Sequence, residues 1–320
     1  MSPNATPVVS KPRPVPFALR KSVENELQRL VDSCVLTPVN TNEEPIIWAS
    51  PIVLVVKPTG AVRICADLKK TINKFMLADK YPMPRFVEII SKLTVGKQFS
   101  VIDIKDAYLQ MEVYPSVQQY LVISTHKGFF KYSRLPFGIK IASGAFQRKM
   151  DQVLAGLEGV ACLLDDVIIT APTRVKHMET LREVLKRFME AGIRVQYSKC
   201  QWFQQSVSYL GHQINSQGIH PTEEHVQCLR NIPSPKNIRE LRSFLGSLNY
   251  FRKFIPHLQT ICSPLHQLLQ KEEKWIWTTR HEDTVCKLRN ILSTSDSLTH
   301  YDESLPLIIA TDASDVGFIQ

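Results

Sequence analysis

The sequence predicts an α+β fold built from two or three subdomains. Three observations lead to this prediction. The chain has 320 residues, which is too long for one small core. Its first two thirds contain apolar runs joined in pairs by short turn segments, as β-hairpins are. Beyond Gly211 the apolar residues recur at helical spacing, which predicts a largely helical module.

The first elements can be read in chain order. Residues 1–16 carry several prolines and no periodicity, so we predict a flexible lead-in. Apolar residues at helical spacing predict an amphipathic helix from Leu19 to Val35. Pro58-Thr59-Gly60 then joins two strand-like runs in WASPIVLVVKPTGAVRICADL. The segment FSVIDIKDAYLQMEV passes from a strand into a polar turn at Lys105-Asp106.

The following segments continue this pattern. We predict a hairpin over 120–133 and a helix over 141–154. A second hairpin, with Asp165-Asp166 as its turn, is predicted over 160–169, and a helix closed by Gly192 over 178–192. In the helical module, one amphipathic helix carries a basic face made of Arg239, Arg242, Arg252 and Lys253. The final stretch, LPLIIATDASDVGFIQ, begins a strand.

Composition restricts the class of protein. The net charge of +9 favours a polyanion as partner, although many basic proteins bind no nucleic acid. No run approaches the roughly 20 apolar residues of a membrane span, and the first residues lack a signal-peptide core, so we expect no membrane partner. Seven scattered cysteines without CxxC pairs indicate reduced intracellular thiols.

Two adjacent carboxylates, Asp165 and Asp166, stand in the apolar run ACLLDDVII. Burying them without a cation would cost several kcal/mol or more. Asp103 lies in a second apolar strand, FSVIDIKDAY. Three hard oxygen donors suit a pair of Mg²⁺ ions of the kind used in phosphoryl transfer. The alternative, which spacing leaves open, is a solvated turn and a polar strand edge.

Several blocks in the chain occur in a specific order. They are WASPIVLVVK, VRICADLKKTIN, KYPMPR, FSVIDIKDAYLQMEV, RLPFGIKIASGAFQRKM, LLDDVIIT, YLGHQI and LRSFLGSLNYFRKFI. Read together, they closely resemble the reverse transcriptase motifs of gypsy-class long-terminal-repeat retrotransposon Pol polyproteins, over roughly residues 45–320. The resemblance implies a right-hand polymerase fold of fingers, palm and thumb, followed by a connection and the first strand of an RNase H-like domain. The implied division is 1–16 lead-in, 17–215 fingers and palm, 216–270 thumb, and 271–320 connection with a truncated RNase H-like start.

The resemblance also implies an activity, RNA-directed DNA polymerisation. Asp103, Asp165 and Asp166 match the catalytic, metal-binding acids of the family. Two Mg²⁺ ions, or Mn²⁺ as a substitute, would serve attack of a primer 3′-hydroxyl on the α-phosphate of a deoxynucleoside triphosphate. The implied partners are an RNA template, a DNA primer or RNA–DNA hybrid, and dNTPs, together with the protease, the rest of RNase H and the integrase of a parent polyprotein. The implied location is intracellular, in a cytoplasmic particle or alternatively in the nucleus.

Supporting residues follow from the same motifs. Those that match dNTP-binding positions are Lys57, Arg63, Tyr108, Phe137 and Gly138, with Tyr108 closing the sugar pocket against a 2′-hydroxyl. Those that match template or primer positions are Gln147, Tyr209, Leu210 and Gly211. The alternative role is a solvated hairpin face for Lys57 and Arg63 and a core aromatic for Tyr108. For the segment that begins at Tyr209, the alternative is a purely structural turn. For the basic helix, a solvated face competes with phosphate contact.

The sequence also departs from the family pattern. Leu163 replaces the usual tyrosine before the acidic pair, and Ser143 replaces the usual proline of the helix-entry motif. We expect altered or reduced polymerisation from the first change. Asp312 resembles the first acid of an RNase H domain, but without its companions we expect no RNase H activity from this chain. A catalytically silent nucleic-acid-binding remnant and a two-metal nuclease remain alternatives.

Overall fold

The computed structural model describes residues 2, 4–77, 81–93, 96–255, 257–270, 273–294, 313–314 and 317–318. Within these residues the α-helices are α1 Arg20–Asp32, α2 Ile72–Phe75, α3 Phe86–Ser91, α4 Pro115–Gln118, α5 Ala142–Val153, α6 Arg174–Glu190, α7 Glu223–Asn231, α8 Ile238–Tyr250, α9 Leu258–Gln267 and α10 Thr279–Thr294. The strands are β1 Leu36–Pro38, β2 Ser50–Val56, β3 Val62–Ala66, β4 Gln98–Asp103, β5 Val122–Thr125, β6 Gly128–Tyr132, β7 Val160–Leu163, β8 Asp166–Ala171, β9 Gln201–Gln204, β10 Ser206–Tyr209, β11 His212–Asn215, β12 Gly218–Pro221, β13 Ala313–Ser314 and β14 Gly317–Phe318.

The amino-terminal part is built on a five-stranded sheet, which we call the first sheet. Its strand order is β1-β6-β5-β2-β3, and β2 pairs with β5 in parallel. Helix α1 covers it with Val23, Leu27 and Leu30, whose spacing puts them on one face of the helix. The amphipathic pattern of the sequence therefore identified this helix and its buried face correctly.

The second sheet carries the acidic residues. Its strands are antiparallel in the order β7-β8-β4-β9. Alternation along β4 sends Ile102 into a core shared with α5 and α6, and sends Phe99 and Val101 into a core on the opposite face. Because both faces are covered, the strands read as almost continuous apolar runs. The carboxylates of Asp103 and Asp166 lie at the ends of their strands.

Helices α7–α10 form the helical module, which packs with the three-stranded sheet β10-β11-β12. Leu241 and Phe244 of α8 share one core with Leu265 of α9 and Leu288 of α10. Helix α10 lies beyond residue 270, so the described part of the predicted connection packs into the core of the predicted thumb. No helix in the described residues is both long and apolar enough to cross a membrane.

The two ends of the chain compare differently with the sequence prediction. The lead-in is not free of the fold, because Val9 bridges to Ala49 and Val15 is buried in the core of the first sheet. Turn-forming prolines indicated flexibility, but tertiary contacts hold the segment. Near the other end, β13 and β14 pair antiparallel. The prediction for Asp312 falls outside the described residues. All seven cysteines lie within them as free thiols.

Candidate active site

The β7–β8 hairpin presents two carboxylates at the end of the second sheet. Leu163 pairs with Asp166, so the turn consists of Leu164 and Asp165. The predicted turn, Asp165-Asp166, is wrong by one residue, and Asp166 is the first residue of β8. Leu164 adopts a left-handed φ of 55°, which two-residue hairpins need but which Leu rarely supplies. The sequence pointed instead to the aspartates, which are commoner turn residues.

The third acid, Asp103, lies opposite Asp166 on the adjacent strand. Asp103 ends β4 and is the register partner of Asp166. Just beyond it, the Ile104 amide donates to the Asp165 carbonyl at 2.9 Å. Residues more than 60 positions apart in sequence therefore lie together at one end of the second sheet. We call Asp103, Asp165 and Asp166 the acidic edge.

The acidic edge carries concentrated negative charge. Burial, followed by the neighbouring carboxylates of Asp165 and Asp103, raises the pKa of Asp166 to about 6. The Lys199 ammonium opposes this effect and lies 3.2 Å from Asp103 Oδ2. Lys199 was missed by the sequence analysis because it is distant in the chain from every acidic motif and follows no spacing rule. One ammonium group thus compensates part of the charge of three carboxylates.

The donor set suits a divalent cation in its chemistry. Carboxylate oxygens are the ligands that Mg²⁺ prefers, and a cation would offset the like-charge repulsion at Asp166. The side chains are not gathered around one point, however. Across the described residues no group of three or more His, Cys, Asp or Glu side chains is arranged as a metal site. A cation bound by Asp103 would compete with the Lys199 ammonium for the same carboxylate.

Gln147 holds the hairpin from behind. Its side chain is fully buried on α5. Its amide nitrogen donates to Cys162 O at 3.0 Å and to Asp151 Oδ1 at 2.9 Å, while its Oε1 accepts from Leu164 N at 2.8 Å. These contacts leave no exposed polar atom for a template strand. Gln147 therefore braces the acidic edge in this structure, and its predicted contact with a template stays a prediction.

Four predicted dNTP-binding residues form a connected group. Arg63 of β3 stacks over the Phe137 ring at 4.9 Å, and Phe137 contacts the Tyr108 ring edge-on at 5.5 Å. The Tyr108 hydroxyl lies 3.2 Å from Ser143 Oγ at the start of α5. Gly138 follows with φ 91°, and an added Cβ would stand 3.0 Å from Ala66 O. The group joins the first sheet to α5, whereas Lys57 lies exposed in the β2–β3 turn.

Three of the predicted template or primer residues, Tyr209, Leu210 and Gly211, lie together in the β10–β11 hairpin. Tyr209 ends β10, His212 begins β11, and Leu210-Gly211 make the turn between them. Tyr209 is buried, and its hydroxyl donates to the carbonyl oxygen of Asp166 at 3.1 Å. This hydrogen bond links the hairpin directly to the acidic edge, a relationship that sequence spacing could not reveal.

The four residues of the predicted basic face are all exposed: Arg239, Arg242, Arg252 and Lys253. Lys253 also lies over the ring of Phe86 from α3, with Nζ 3.7 Å from the ring centroid. Burial lowers the pKa of Lys253 to about 8. Lys253 therefore ties the helical module to α3, which the sequence did not indicate.

Comparison with known proteins decides the family. Residues 55–214 match the family described as "Reverse transcriptase (RNA-dependent DNA polymerase)". This chain belongs to the reverse transcriptase family. The matched stretch contains every residue of the acidic edge and the turn between β10 and β11.

Two curated relatives extend the likeness beyond that stretch. The reverse transcriptase chain is 39% identical over 254 residues, 79% of its length, to Uncharacterized protein K02A2.6 of Caenorhabditis elegans. It is 30% identical over 306 residues, 95% of its length, to Transposon Tf2-7 polyprotein of Schizosaccharomyces pombe. It covers 20% and 22% of these proteins respectively, so it spans about a fifth of their length. The likeness to a transposon polyprotein therefore extends over nearly the whole of this chain.

Solved structures confirm the right-hand polymerase fold. The reverse transcriptase chain superposes on the foamy viral protease-reverse transcriptase in complex with dsDNA with a TM-score of 0.83 and 24% identity, covering 94% of this chain and 63% of that one. A structure of the same viral enzyme with RNA/DNA hybrid gives a TM-score of 0.78 and 24% identity, with coverage of 95% and 40%. The division of the chain into fingers, palm and thumb stays a prediction from the sequence motifs.

Proposed function

We propose that this chain is an RNA-directed DNA polymerase that adds deoxynucleotides to a primer 3′-hydroxyl. The observation that carries the proposal is the pairing of Asp103 with Asp166 at the end of the β4–β8 register, beside Asp165. Membership of the reverse transcriptase family supports it. The finer assignment to a gypsy-class element rests on the order of the sequence motifs.

The acidic edge would hold the metal ions. Asp103, Asp165 and Asp166 would serve as ligands of Mg²⁺, or of Mn²⁺ in its place. Bound there, the ions would supply positive charge to stabilise the developing negative charge of phosphoryl transfer. Gln147 would keep the hairpin turn in place through Cys162 O and Leu164 N. Tyr209 would keep the β10–β11 hairpin, which would hold the primer end, at a fixed distance from Asp166.

Residues of the fingers and α5 would orient the nucleotide. Lys57 and Arg63 would contact the triphosphate, to which a guanidinium can bind with two hydrogen bonds. Tyr108 would close the sugar pocket, with its ring held by Phe137 and its hydroxyl by Ser143. The neighbouring foamy viral structures contain dsDNA and RNA/DNA hybrid, which supports a primer–template duplex as the partner of this chain.

A second candidate is a catalytically silent nucleic-acid-binding protein that keeps the fold. Two observations favour it: Asp103 is engaged by Lys199, and Leu163 stands where the family has tyrosine. In this case the basic thumb would still bind duplex, while the acidic edge would hold no ion pair competent for transfer.

A primer-extension assay on a primed homopolymer RNA template separates the two candidates. We expect Mg²⁺-dependent incorporation by the intact chain and a loss of about 10³-fold or more in Asp165→Asn, because one ligand of the ions is neutralised. Equal background incorporation by both proteins would overturn the polymerase proposal. Strand cleavage without nucleotide addition would indicate a nuclease instead.

A further inference from the structure

The turn between β10 and β11 is held by the helical module. Leu210 and Gly211 both have positive φ, 48° and 75°, as a tight two-residue hairpin requires. The Gly211 carbonyl oxygen accepts a hydrogen bond from the Tyr250 hydroxyl at 2.8 Å, and His225 Nδ1 lies 3.3 Å from the same oxygen. Tyr250 ends α8 and His225 lies in α7, so two thumb helices converge on one carbonyl group.

The fit between the turn and Tyr250 is close. A Cβ atom at Gly211 would stand 2.6 Å from the Tyr250 hydroxyl oxygen and 3.3 Å from His225 Cε1. Glycine is thus required at this position for two reasons, the left-handed backbone and the proximity of the tyrosine. The turn and the end of α8 are therefore shaped to one another.

The same hairpin contacts the acidic edge at its other end. Tyr209, immediately before the turn, donates its hydroxyl to the Asp166 carbonyl at 3.1 Å. Its ring is buried in the core that also contains Leu241 and Phe244 of α8. A short chain of contacts therefore runs from Tyr250 through the Gly211 carbonyl and the turn to Tyr209 and then to Asp166.

We infer that Tyr250 is a positioning residue whose hydroxyl fixes the β10–β11 turn relative to the acidic edge. The statement that this turn holds a primer terminus rests on the proposed function. The fixation of the turn by Tyr250 does not. A thumb that moved without this hydrogen bond would leave the turn free to shift. With it, movement of α8 is transmitted to the place where the primer end must meet the carboxylates.

The Tyr250→Phe variant isolates the hydroxyl. The ring of Tyr250 stacks on His212 at 5.4 Å and meets Phe251 edge-on at 5.0 Å, and phenylalanine preserves both contacts. Tyr114, which is 81% exposed in the fingers, provides a matched control as Tyr114→Phe. Neither substitution changes charge or creates a cavity larger than a hydroxyl.

Amide hydrogen exchange of the protein without nucleic acid tests the fixation directly. Loss of one hydrogen bond predicts about a three- to tenfold faster exchange at residues 210–213 in Tyr250→Phe, and none in Tyr114→Phe. Unchanged exchange at these amides would overturn the inference. So would an equal increase throughout α7–α10, since that would indicate general loosening of the helical module.

Steady-state primer extension tests the consequence. We expect the KM for primer–template to rise about three- to tenfold in Tyr250→Phe while the KM for dNTP stays unchanged, because the nucleotide contacts lie elsewhere. Unchanged KM for primer–template, or an equal rise in both constants, would overturn the positioning role. If the unmodified chain incorporates nothing, the proposed function fails and the exchange experiment alone decides the inference.

Discussion

Lys199 and Asp103 form an ion pair at the acidic edge, with 3.2 Å between Nζ and Oδ2. The lysine side chain is 66% exposed and the aspartate 22%. An ion pair of this exposure contributes little to stability, but it competes with any cation that uses the same carboxylate. The pair therefore bears on metal affinity more than on folding.

Removing the ammonium should tighten Mg²⁺ binding. In Lys199→Gln, Asp103 loses its competitor and the local charge becomes more negative, so we expect about a two- to fivefold lower Kd for Mg²⁺ without nucleotide. Isothermal titration calorimetry measures it, with the exposed helix residue in Lys21→Gln as control. Weaker binding in Lys199→Gln would show that the ammonium assists the site.

Gln147 is expected to act on stability rather than on template binding. Gln147→Leu leaves Leu164 N and Cys162 O buried without their partner, which predicts a loss of about 2–4 kcal/mol in the free energy of unfolding. Urea denaturation measures this loss. Gln119→Leu, at an exposed position of the fingers, should change stability by about 0.5 kcal/mol or less. A Gln147→Leu protein of unchanged stability but weakened template affinity would support the predicted template contact of Gln147 instead.

Sequence alone predicted the parts of the fold that depend on local pattern. Helix α1 and the two hairpins of the first sheet followed from apolar periodicity and turn residues, because those signals lie within a few positions of each other. The turn of the β7–β8 hairpin did not, since Leu164 adopts a left-handed conformation that only the tertiary setting imposes.

The residues of the candidate site also fall into those that the sequence identifies and those that only tertiary contacts reveal. Asp103 and Asp166 could be matched through ordered motifs, each readable in its own strand. Lys199 and Tyr250 could not be recognised, because each acts through a contact between distant segments. Gln147 was matched to a template position through the family motif, and its burial follows from packing of α5 behind the hairpin, which the motif does not show.

The Ser143 hydroxyl is expected to contribute to sugar discrimination. A proline at this position could not donate to or accept from the Tyr108 hydroxyl, which lies 3.2 Å from Ser143 Oγ. Ser143→Ala should lower the ratio of kcat/KM for dNTP to kcat/KM for rNTP by about two- to tenfold. The Tyr108 ring, which would close the sugar pocket, is then no longer fixed by this hydrogen bond. Ser116→Ala, at an exposed position of the short helix α4, is the control.

A double-mutant cycle tests whether the two hydroxyls act as a pair. Tyr108→Phe and Ser143→Ala each remove the same hydrogen bond, so the double variant should discriminate no worse than either single variant. Fully additive losses would show that the two side chains act independently.

The salt dependence of duplex binding should separate the basic residues of the thumb. Arg239, Arg242 and Lys253 are all exposed, but only the Lys253 ammonium lies over an aromatic ring of a neighbouring element, that of Phe86. If each arginine neutralises one phosphate, each Arg→Gln change lowers the slope of log K against log salt by about 0.9. Lys253→Gln should leave the slope unchanged. Fluorescence anisotropy at several salt concentrations measures these slopes, and equal effects at all three positions would contradict the division of the basic face.

The final prediction concerns pH and His212, the first residue of β11. Its ring is enclosed by Phe86, Tyr250 and Phe254, and its Nδ1 lies 2.8 Å from Leu210 O. Burial, followed by the Lys253 charge, lowers the pKa of His212 to about 4, while His225 adds a smaller effect in the same direction. The neutral form is therefore the one that fits the fold.

The sign of the pH effect follows from linkage. Above the unfolded pKa of about 6.5, His212 is neutral in both states and costs nothing. As pH falls from about 6.5 to 4, the unfolded state binds a proton that the folded state excludes, so stability decreases by about 2–3 kcal/mol after allowance for partial solvent screening. His212→Phe retains the aromatic packing and removes the titration. The difference in free energy of unfolding between the two proteins, measured by urea denaturation from pH 7 to 4, should therefore shift in favour of His212→Phe as pH falls. A difference that is constant over this range would mean that the ring is protonated inside the fold.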